Sequence, residues 1–114
     1  LPPLLFAVVL WLVGGWSLVC VCFCLTAVMA LHGASVVNTL CHLIGSRRYP
    51  TADQSRNSFL LALLTFGEGW HNNHHAHPVS ARHGMAWYEL DVNYLGIWLL
   101  EKVGLATKVN ANRV

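Results

Sequence analysis

Five of the seven histidines in this 114-residue chain lie between His71 and His83. The densest part is segment 71–75, HNNHH, whose histidines occupy positions i, i+3 and i+4. On an α-helix these positions share one face, so the three imidazole rings would point the same way. Three converging neutral imidazoles can hold iron or zinc with coordination positions left open. The spacing therefore predicts a metal site at His71, His74 and His75, against the alternative of a solvated, histidine-rich turn.

Two further features could complete such a site. Glu68 lies one helical turn before His71, where its carboxylate could orient a ligand ring by accepting the second ring N–H. Asn38 and His42 are four residues apart near the end of an apolar stretch, and so share a helix face. Polar groups at that depth are costly unless they are satisfied, which makes His42 a functional candidate. An interhelical hydrogen bond explains the Asn38 and His42 spacing equally well.

The other histidines have weaker patterns. His32 lies about 15 Å from His42 along a helix, too far to share a metal ion, which favours packing or hydrogen bonding. His77 directly precedes Pro78 and would leave the helical face, and His83 is interpreted as a loop contact. The four cysteines lack the CxxC knuckles of structural zinc sites and are interpreted as small packing residues.

Composition indicates where these residues must be placed. The chain is 55% hydrophobic and only 11% charged, with a mean hydropathy of +0.49, whereas soluble domains carry about 25% charged residues. No Asp, Glu, Lys or Arg occurs before Arg47. This pattern excludes disorder, a small secreted disulfide scaffold and an ordinary soluble domain. It predicts an all-α protein with membrane helices in residues 1–46 and a cytosolic region in residues 47–114. The net charge of +2 is too mild to predict a nucleic-acid partner.

The apolar run from Leu4 to about Ile44 is roughly twice the ~20 residues that one membrane crossing needs. The pair Gly14-Gly15 interrupts it, since paired glycines weaken a helix and permit a turn. We therefore predict that Leu4–Val13 ends one membrane helix and that a second, complete helix runs from Trp16 to about Ile44.

Basic residues set the expected orientation. Arg47, Arg48 and Arg56 follow the long helix closely, which by the positive-inside rule places that end in the cytoplasm. Beyond it, the apolar segment Asn57–Phe66 is too short to span lipid and is predicted to be a surface or packed helix. The chain begins at Leu1 without the basic region of a signal peptide, so we expect it to come from a longer polypeptide.

Three motifs follow one another along the chain: the NxxxH pair in Asn38–Tyr49, the GEGWHNNHH box in Gly67–Pro78, and the later SARHG motif. Together they resemble the C-terminal part of membrane fatty-acid desaturases. The similarity is greatest to delta-9, stearoyl-CoA-type acyl desaturases, especially bacterial ones, and covers essentially the whole chain. It implies four transmembrane helices, the last two represented here, beneath a cytosolic helical cap. It also implies an integral membrane protein with a cytoplasmic active site, in a bacterial inner membrane rather than the endoplasmic reticulum.

The resemblance further implies a di-iron centre held by histidines from three boxes and one isolated histidine. By position, His71, His74 and His75 match the last box, His42 matches the isolated ligand, and Asn38 matches a residue that approaches one iron through water. Zinc could replace iron in recombinant material. The implied reaction is O₂-dependent insertion of a cis double bond, at delta-9, into an acyl-CoA, acyl-ACP or membrane-lipid chain. Electrons would come from a ferredoxin, a rubredoxin-like protein or cytochrome b5.

Two departures from the family pattern bear on this interpretation. The upstream HxxxxH and HxxHH boxes are absent from these residues, so we expect the 114 residues alone to be inactive in a turnover assay. Ser35 stands where relatives often carry an aromatic residue that shapes the substrate tunnel. The alternatives are a related di-iron hydroxylase or ketolase, or a non-catalytic membrane protein whose histidines bind a metal such as zinc.

Overall fold

A computed structural model describes residues 2–111 of the chain. Within that range the structure is helical and has no β-strand, in agreement with the all-α prediction. The elements, in chain order, are α1 (Pro2–Leu18), a π-helical segment (Val19–Cys24), α2 (Leu25–Leu40), α3 (Phe59–Leu64), α4 (His71–Ala76) and α5 (Val92–Lys102). The chain forms two compact units, one ending at Ser35 and one beginning at Val36.

The glycine pair bends the first unit, as the sequence predicts. Gly14 and Gly15 leave helical geometry, and Gly15 has φ 61° and ψ −162°, a conformation essentially restricted to glycine. An apolar groove in this unit is lined by Pro3, Phe6, Phe23, Thr26, Ala27 and Ala30. Phe6 and Phe23 are equally distant in sequence from the glycine pair, so the segments on either side run antiparallel against each other.

Pro3–Leu40 is the one helical segment within residues 2–111 that is long and apolar enough to cross a membrane, with a mean hydropathy of 2.4 over an 18-residue stretch. Its side chains are largely exposed. Regular helix ends at Leu40, four residues earlier than predicted. The following turn is tighter, since the His42 N–H donates to the carbonyl of Thr39 and the Leu43 N–H to that of Leu40.

The second unit has a small core around Val37, Cys41 and Leu61. Short antiparallel contacts tie its loops together. Ser46 and Asn57 exchange two backbone hydrogen bonds of 2.8 and 2.7 Å, and Ser58 N donates to Gly69 O at 2.9 Å. The segment predicted as a short helix over residues 57–66 forms α3 between residues 59 and 64. These contacts bring the chain after α2 beside the start of α4.

Candidate metal centre

Three histidines of the second unit converge. His42 lies two residues beyond α2, and His71 and His75 occupy successive turns of α4. One ring nitrogen from each lies within 4.8 Å of the others. The His71 and His75 Nε2 atoms are 3.0 Å apart, and the His42 ring centroid lies 5.2 Å from each of the other two rings. The structure thus brings together three residues that the sequence singled out; we call them the histidine triad.

The triad fits a metal ion. Imidazole nitrogens bind zinc at about 2.0–2.1 Å, so two on one ion lie about 3.0 Å apart at a right angle and about 3.4 Å apart at the tetrahedral angle. The Nε2 atoms of His71 and His75 meet this separation without movement of α4. Three imidazoles without thiolate suit iron and zinc and leave positions open for other ligands.

His71 is the most buried ring of the triad, with 8% of its surface exposed. Burial lowers the pKa of His71 to about 4, and the neighbouring rings of His75, His42 and His74 act in the same direction. The ring is therefore neutral at physiological pH, which is the protonation state that binds metal.

His74 does not join the triad, although its spacing predicts a shared face. Successive helix positions are about 100° apart, so His71 and His75 differ by only about 40° while His74 lies on the other side of His71. Its ring packs against His83 with centroids 4.6 Å apart. The His74 Nδ1 atom is buried and has no hydrogen-bond partner among residues 2–111. Burial, followed by the proximity of His83, lowers the pKa of His74, so this ring too is kept neutral.

Within residues 2–111 the carboxylate that contacts the triad is that of Asp53, whereas the carboxylate of Glu68 faces His83. Asp53 Oδ2 lies 2.5 Å from His75 Nδ1. Hydrogen bonds from the side chain and the backbone of Ser55 hold the pKa of the Asp53 carboxyl well below its usual range, and His75 adds to the effect. Glu68 lies instead 3.6 Å from His83 Nδ1 and accepts a hydrogen bond from Asn93 at 2.9 Å. Sequence reasoning missed Asp53 because it lies far along the chain from both histidine motifs, 11 residues after His42 and 18 before His71.

Asn38 lies on the last turn of α2 with an exposed side chain. Its side chain makes no hydrogen bond within the part of the chain that the structure describes, and the tight turn after Leu40 separates it from a regular i, i+4 alignment with His42. Its approach to a metal through water remains a prediction.

A side chain from another segment caps the short helix α4. Asn57 Oδ1 accepts hydrogen bonds from the backbone N–H groups of Asn72 and Asn73 at 2.9 and 3.1 Å. These are among the N–H groups that lack partners at the start of a helix. Six residues are too few for a stable isolated helix, so this capping by a buried asparagine fixes the end that carries His71.

The two asparagines of segment 71–75 fasten α4 to the surrounding loops. Asn72 Oδ1 accepts from the backbone N–H groups of Arg48 and Tyr49 at 2.8 and 2.7 Å. Asn73 Nδ2 donates to Glu89 Oε2 and to the His83 carbonyl, both at 2.8 Å. Both asparagines are fully buried. In the sequence, the only indication that these asparagines hold α4 in place was their position between the histidines of segment 71–75.

The remaining residues singled out in the sequence are not members of the triad. His77 packs edge-on against Tyr49 with ring centroids 5.1 Å apart. His32 is exposed on α2. The four cysteines carry free thiols, and Cys41 alone among them is buried. His83, interpreted as a loop contact, lies in a loop and has its ring beside that of His74.

The chain is similar in sequence to a family of known enzymes and to individual members of it. The sequence model of the family described as "Fatty acid desaturase" matches residues 1–95. The chain is 54% identical over 82 residues to the Delta-9 desaturase-like 2 protein of Arabidopsis thaliana, a match that covers 72% of this chain and 27% of that protein. It is 46% identical over 96 residues to the sn-1 stearoyl-lipid 9-desaturase of Anabaena variabilis, with 84% of this chain and 35% of that protein covered.

A third relative has a different named substrate. The chain is 43% identical over 103 residues to the Acyl-CoA C20 Delta5-desaturase of Anemone leveillei, a match that covers 90% of this chain and 33% of that protein. The chain thus spans about a third of the length of the curated relatives it matches. The family match extends over the apolar segment Pro3–Leu40 and the histidine triad. The chain therefore belongs to the fatty acid desaturase family.

Proposed function

We propose that the protein containing this chain is an oxygen-dependent acyl desaturase that introduces a cis double bond, at delta-9, into a saturated acyl chain. The observation that carries the proposal is the convergence of His42, His71 and His75 just beyond a helix apolar enough to enter a membrane. Per double bond, the acyl chain and an external donor each supply two electrons, and O₂ becomes two molecules of water.

We infer that the resident metal is a pair of iron ions. The triad would supply three nitrogen ligands to one of them, and Asn38 is the candidate to approach one of the two ions through water. His74 lies outside the triad with its ring 5.6 Å from that of His75, and its buried Nδ1 has no hydrogen-bond partner within residues 2–111, which supports its assignment to a second ion. Bound iron would supply the O₂-derived oxidant that an unactivated C–H bond requires, because such a bond has no acidic proton for a base to remove.

The residues of this chain contribute position and protonation state. Burial keeps His71 and His74 neutral, as metal ligation requires. The hydrogen bonds of Asn57, Asn72 and Asn73 hold α4 against neighbouring loops and so fix the separation of His71 and His75. Such rigidity matters because displacement of a reacting group by about 1 Å can lower a rate about 100-fold.

The proposed setting is an integral membrane protein, placed in a bacterial inner membrane, with four transmembrane helices and its active site on the cytoplasmic side. The apolar character of Pro3–Leu40 supports membrane insertion. Arg47, Arg48 and Arg56 follow that segment and support a cytoplasmic location for the triad. An acyl chain would then reach the site from the lipid side, and a ferredoxin or cytochrome b5 would reduce it from the aqueous side.

The substrate is an acyl chain on CoA, on acyl carrier protein or in a membrane lipid. Relatives are named for acyl-CoA and for acyl-lipid substrates, and those named for position 9 support the same position here. Because another relative is named for position 5, the position of the double bond must be measured directly in the product.

The test is expression of the protein, with all of its natural sequence, in a host lacking its own desaturase. We expect iron in the purified protein, and cis-9 unsaturated products that depend on O₂ and on a reductant. His42→Ala should abolish the products, whereas the matched variant His32→Ala should retain them, since His32 is exposed and lies outside the triad. Hydroxylated products would favour a hydroxylase, and tightly held zinc without turnover would favour a non-catalytic metal-binding protein; either result would contradict the proposal.

A further inference from the structure

The two ring nitrogens of His75 face different neighbours. Its Nε2 points to the triad, 3.0 Å from the Nε2 of His71, and its Nδ1 lies 2.5 Å from Asp53 Oδ2. Within residues 2–111, His75 is the one ring of the triad that contacts a carboxylate. We propose that Asp53 is a positioning residue, which accepts the Nδ1–H of His75 and thereby presents the Nε2 lone pair to the metal.

The chemistry of imidazole supports this role. A neutral ring carries its proton on one nitrogen and binds metal through the other, so the hydrogen bond at Nδ1 selects the tautomer. Carboxylate partners of ligating histidines also fix the ring orientation and strengthen the nitrogen as a donor. Asp53 satisfies both requirements because its Oδ2 faces Nδ1 while Nε2 remains on the triad side.

Asp53 is itself held in place by its loop. Ser55 N donates to Asp53 Oδ1 at 2.9 Å, which leaves Oδ2 for His75. Arg47 Nη2 donates to the carbonyl oxygens of Thr51 and Asp53 at 2.7 and 2.8 Å. These contacts hold Asp53 at both its side chain and its backbone. A residue that orients another group must itself be held in this way.

The same loop is fastened back to α4 through Asn72. Asn72 Nδ2 donates to the carbonyl of Tyr49 at 3.1 Å and lies 3.2 Å from Thr51 Oγ1 and 3.3 Å from Ser55 Oγ. The helix that carries His75 therefore holds the loop that carries Asp53. This closed set of contacts makes the Asp53 and His75 pairing a consequence of the folded unit rather than of two mobile surface side chains.

The inference rests on the metal site of the proposed function, and its test separates the two. The protein with its natural sequence is stripped of metal and titrated with Co²⁺ alone, followed by the visible absorption of bound cobalt. We expect Asp53→Ala to weaken binding about tenfold, at the lower end of the range for such partners because both side chains are partly exposed. Asp53→Asn, which keeps an acceptor without charge, should weaken it less. Glu101→Gln, which removes an exposed carboxylate, should match the wild type.

A double-mutant cycle separates positioning from general support of the loop. If Asp53 acts through His75, Asp53→Ala should cause no further loss of Co²⁺ affinity in a His75→Ala background. A hyperfine-shifted, exchangeable N–H signal of cobalt-bound wild-type protein should also disappear in Asp53→Ala. Equal affinity of Asp53→Ala and wild type, or full additivity with His75→Ala, would overturn the inference and leave the metal site standing. Failure of the wild type to bind Co²⁺ would overturn the metal site as well.

Discussion

Gly69 is the position at which one added methyl group should most directly disturb the metal centre. A Cβ atom there would lie 2.0 Å from the backbone nitrogen of Ala62 and 2.5 Å from the carbonyl carbon of Leu61. Both atoms belong to the backbone of α3, which cannot rotate aside as a side chain could. Gly69→Ala therefore requires the segment leading into α4 to move away from α3, and His71 lies two residues further on.

The expected cost follows from the distances. Ordinary contact needs about 3.4 Å or more, so residue 69 must retreat by about 1 Å or more. The 2.9 Å hydrogen bond from Ser58 N to Gly69 O would then stretch beyond bonding distance. Overpacking costs about 1–3 kcal/mol and a lost hydrogen bond about 1 kcal/mol, so we expect a destabilisation of about 2–4 kcal/mol.

Thermal unfolding of the detergent-solubilised protein, with Co²⁺ titration in parallel, tests this expectation. Gly69→Ala should lower the unfolding midpoint and weaken cobalt binding. The matched variant is Gly96→Ala, on α5, where a Cβ atom would meet nothing within 4 Å. There alanine should leave stability unchanged or raise it by up to about 1 kcal/mol, since glycine is the poorer helix former. A Gly69→Ala protein with wild-type midpoint and affinity would refute the steric argument.

Further predictions concern the groups around the triad. Asn57→Ala should destabilise the protein by about 1–3 kcal/mol in thermal unfolding, because two N–H groups of α4 lose their cap; an unchanged midpoint would count against that role. Glu68→Gln should leave the Co²⁺ affinity of the triad within about twofold, since its carboxylate contacts His83; a tenfold loss would restore it as the orienting carboxylate. The metal-free protein should lose stability as the pH falls from about 6.5 to about 4, because the unfolded chain takes up a proton that folded His71 resists. His71→Gln should flatten this dependence in unfolding midpoints, and equal slopes would contradict it.

Local rules predicted much of the fold. Paired glycines predicted the bend at Gly14 and Gly15, and hydropathy predicted the long apolar segment. Spacing alone left His42 divided between a ligand and a structural role, and the structure places its ring against those of His71 and His75. The end of α2 was misplaced by four residues because hydropathy continues to Ile44 while the backbone tightens after Leu40.

The partners of the histidines could not be predicted because they depend on loop geometry. Asp53 reaches His75 across 22 residues of chain, in a loop fixed by Asn72 and Arg47. Glu68, one helical turn from His71 by count, lies outside α4, which begins at His71. A helical count therefore did not apply between them, and the carboxylate closest in sequence is not the one on the triad.

The side chains of α4 contact different neighbours, and these contacts explain how so short a helix can carry the metal site. His71 and His75 face His42, whereas the buried asparagines between the histidines bind two different loops. A six-residue helix gains too little from its own hydrogen bonds to persist alone. These side-chain bonds must therefore stabilise the helix, and the helix in turn sets the separation of His71 and His75. Replacing an asparagine of segment 71–75 should consequently weaken metal binding without touching a ligand.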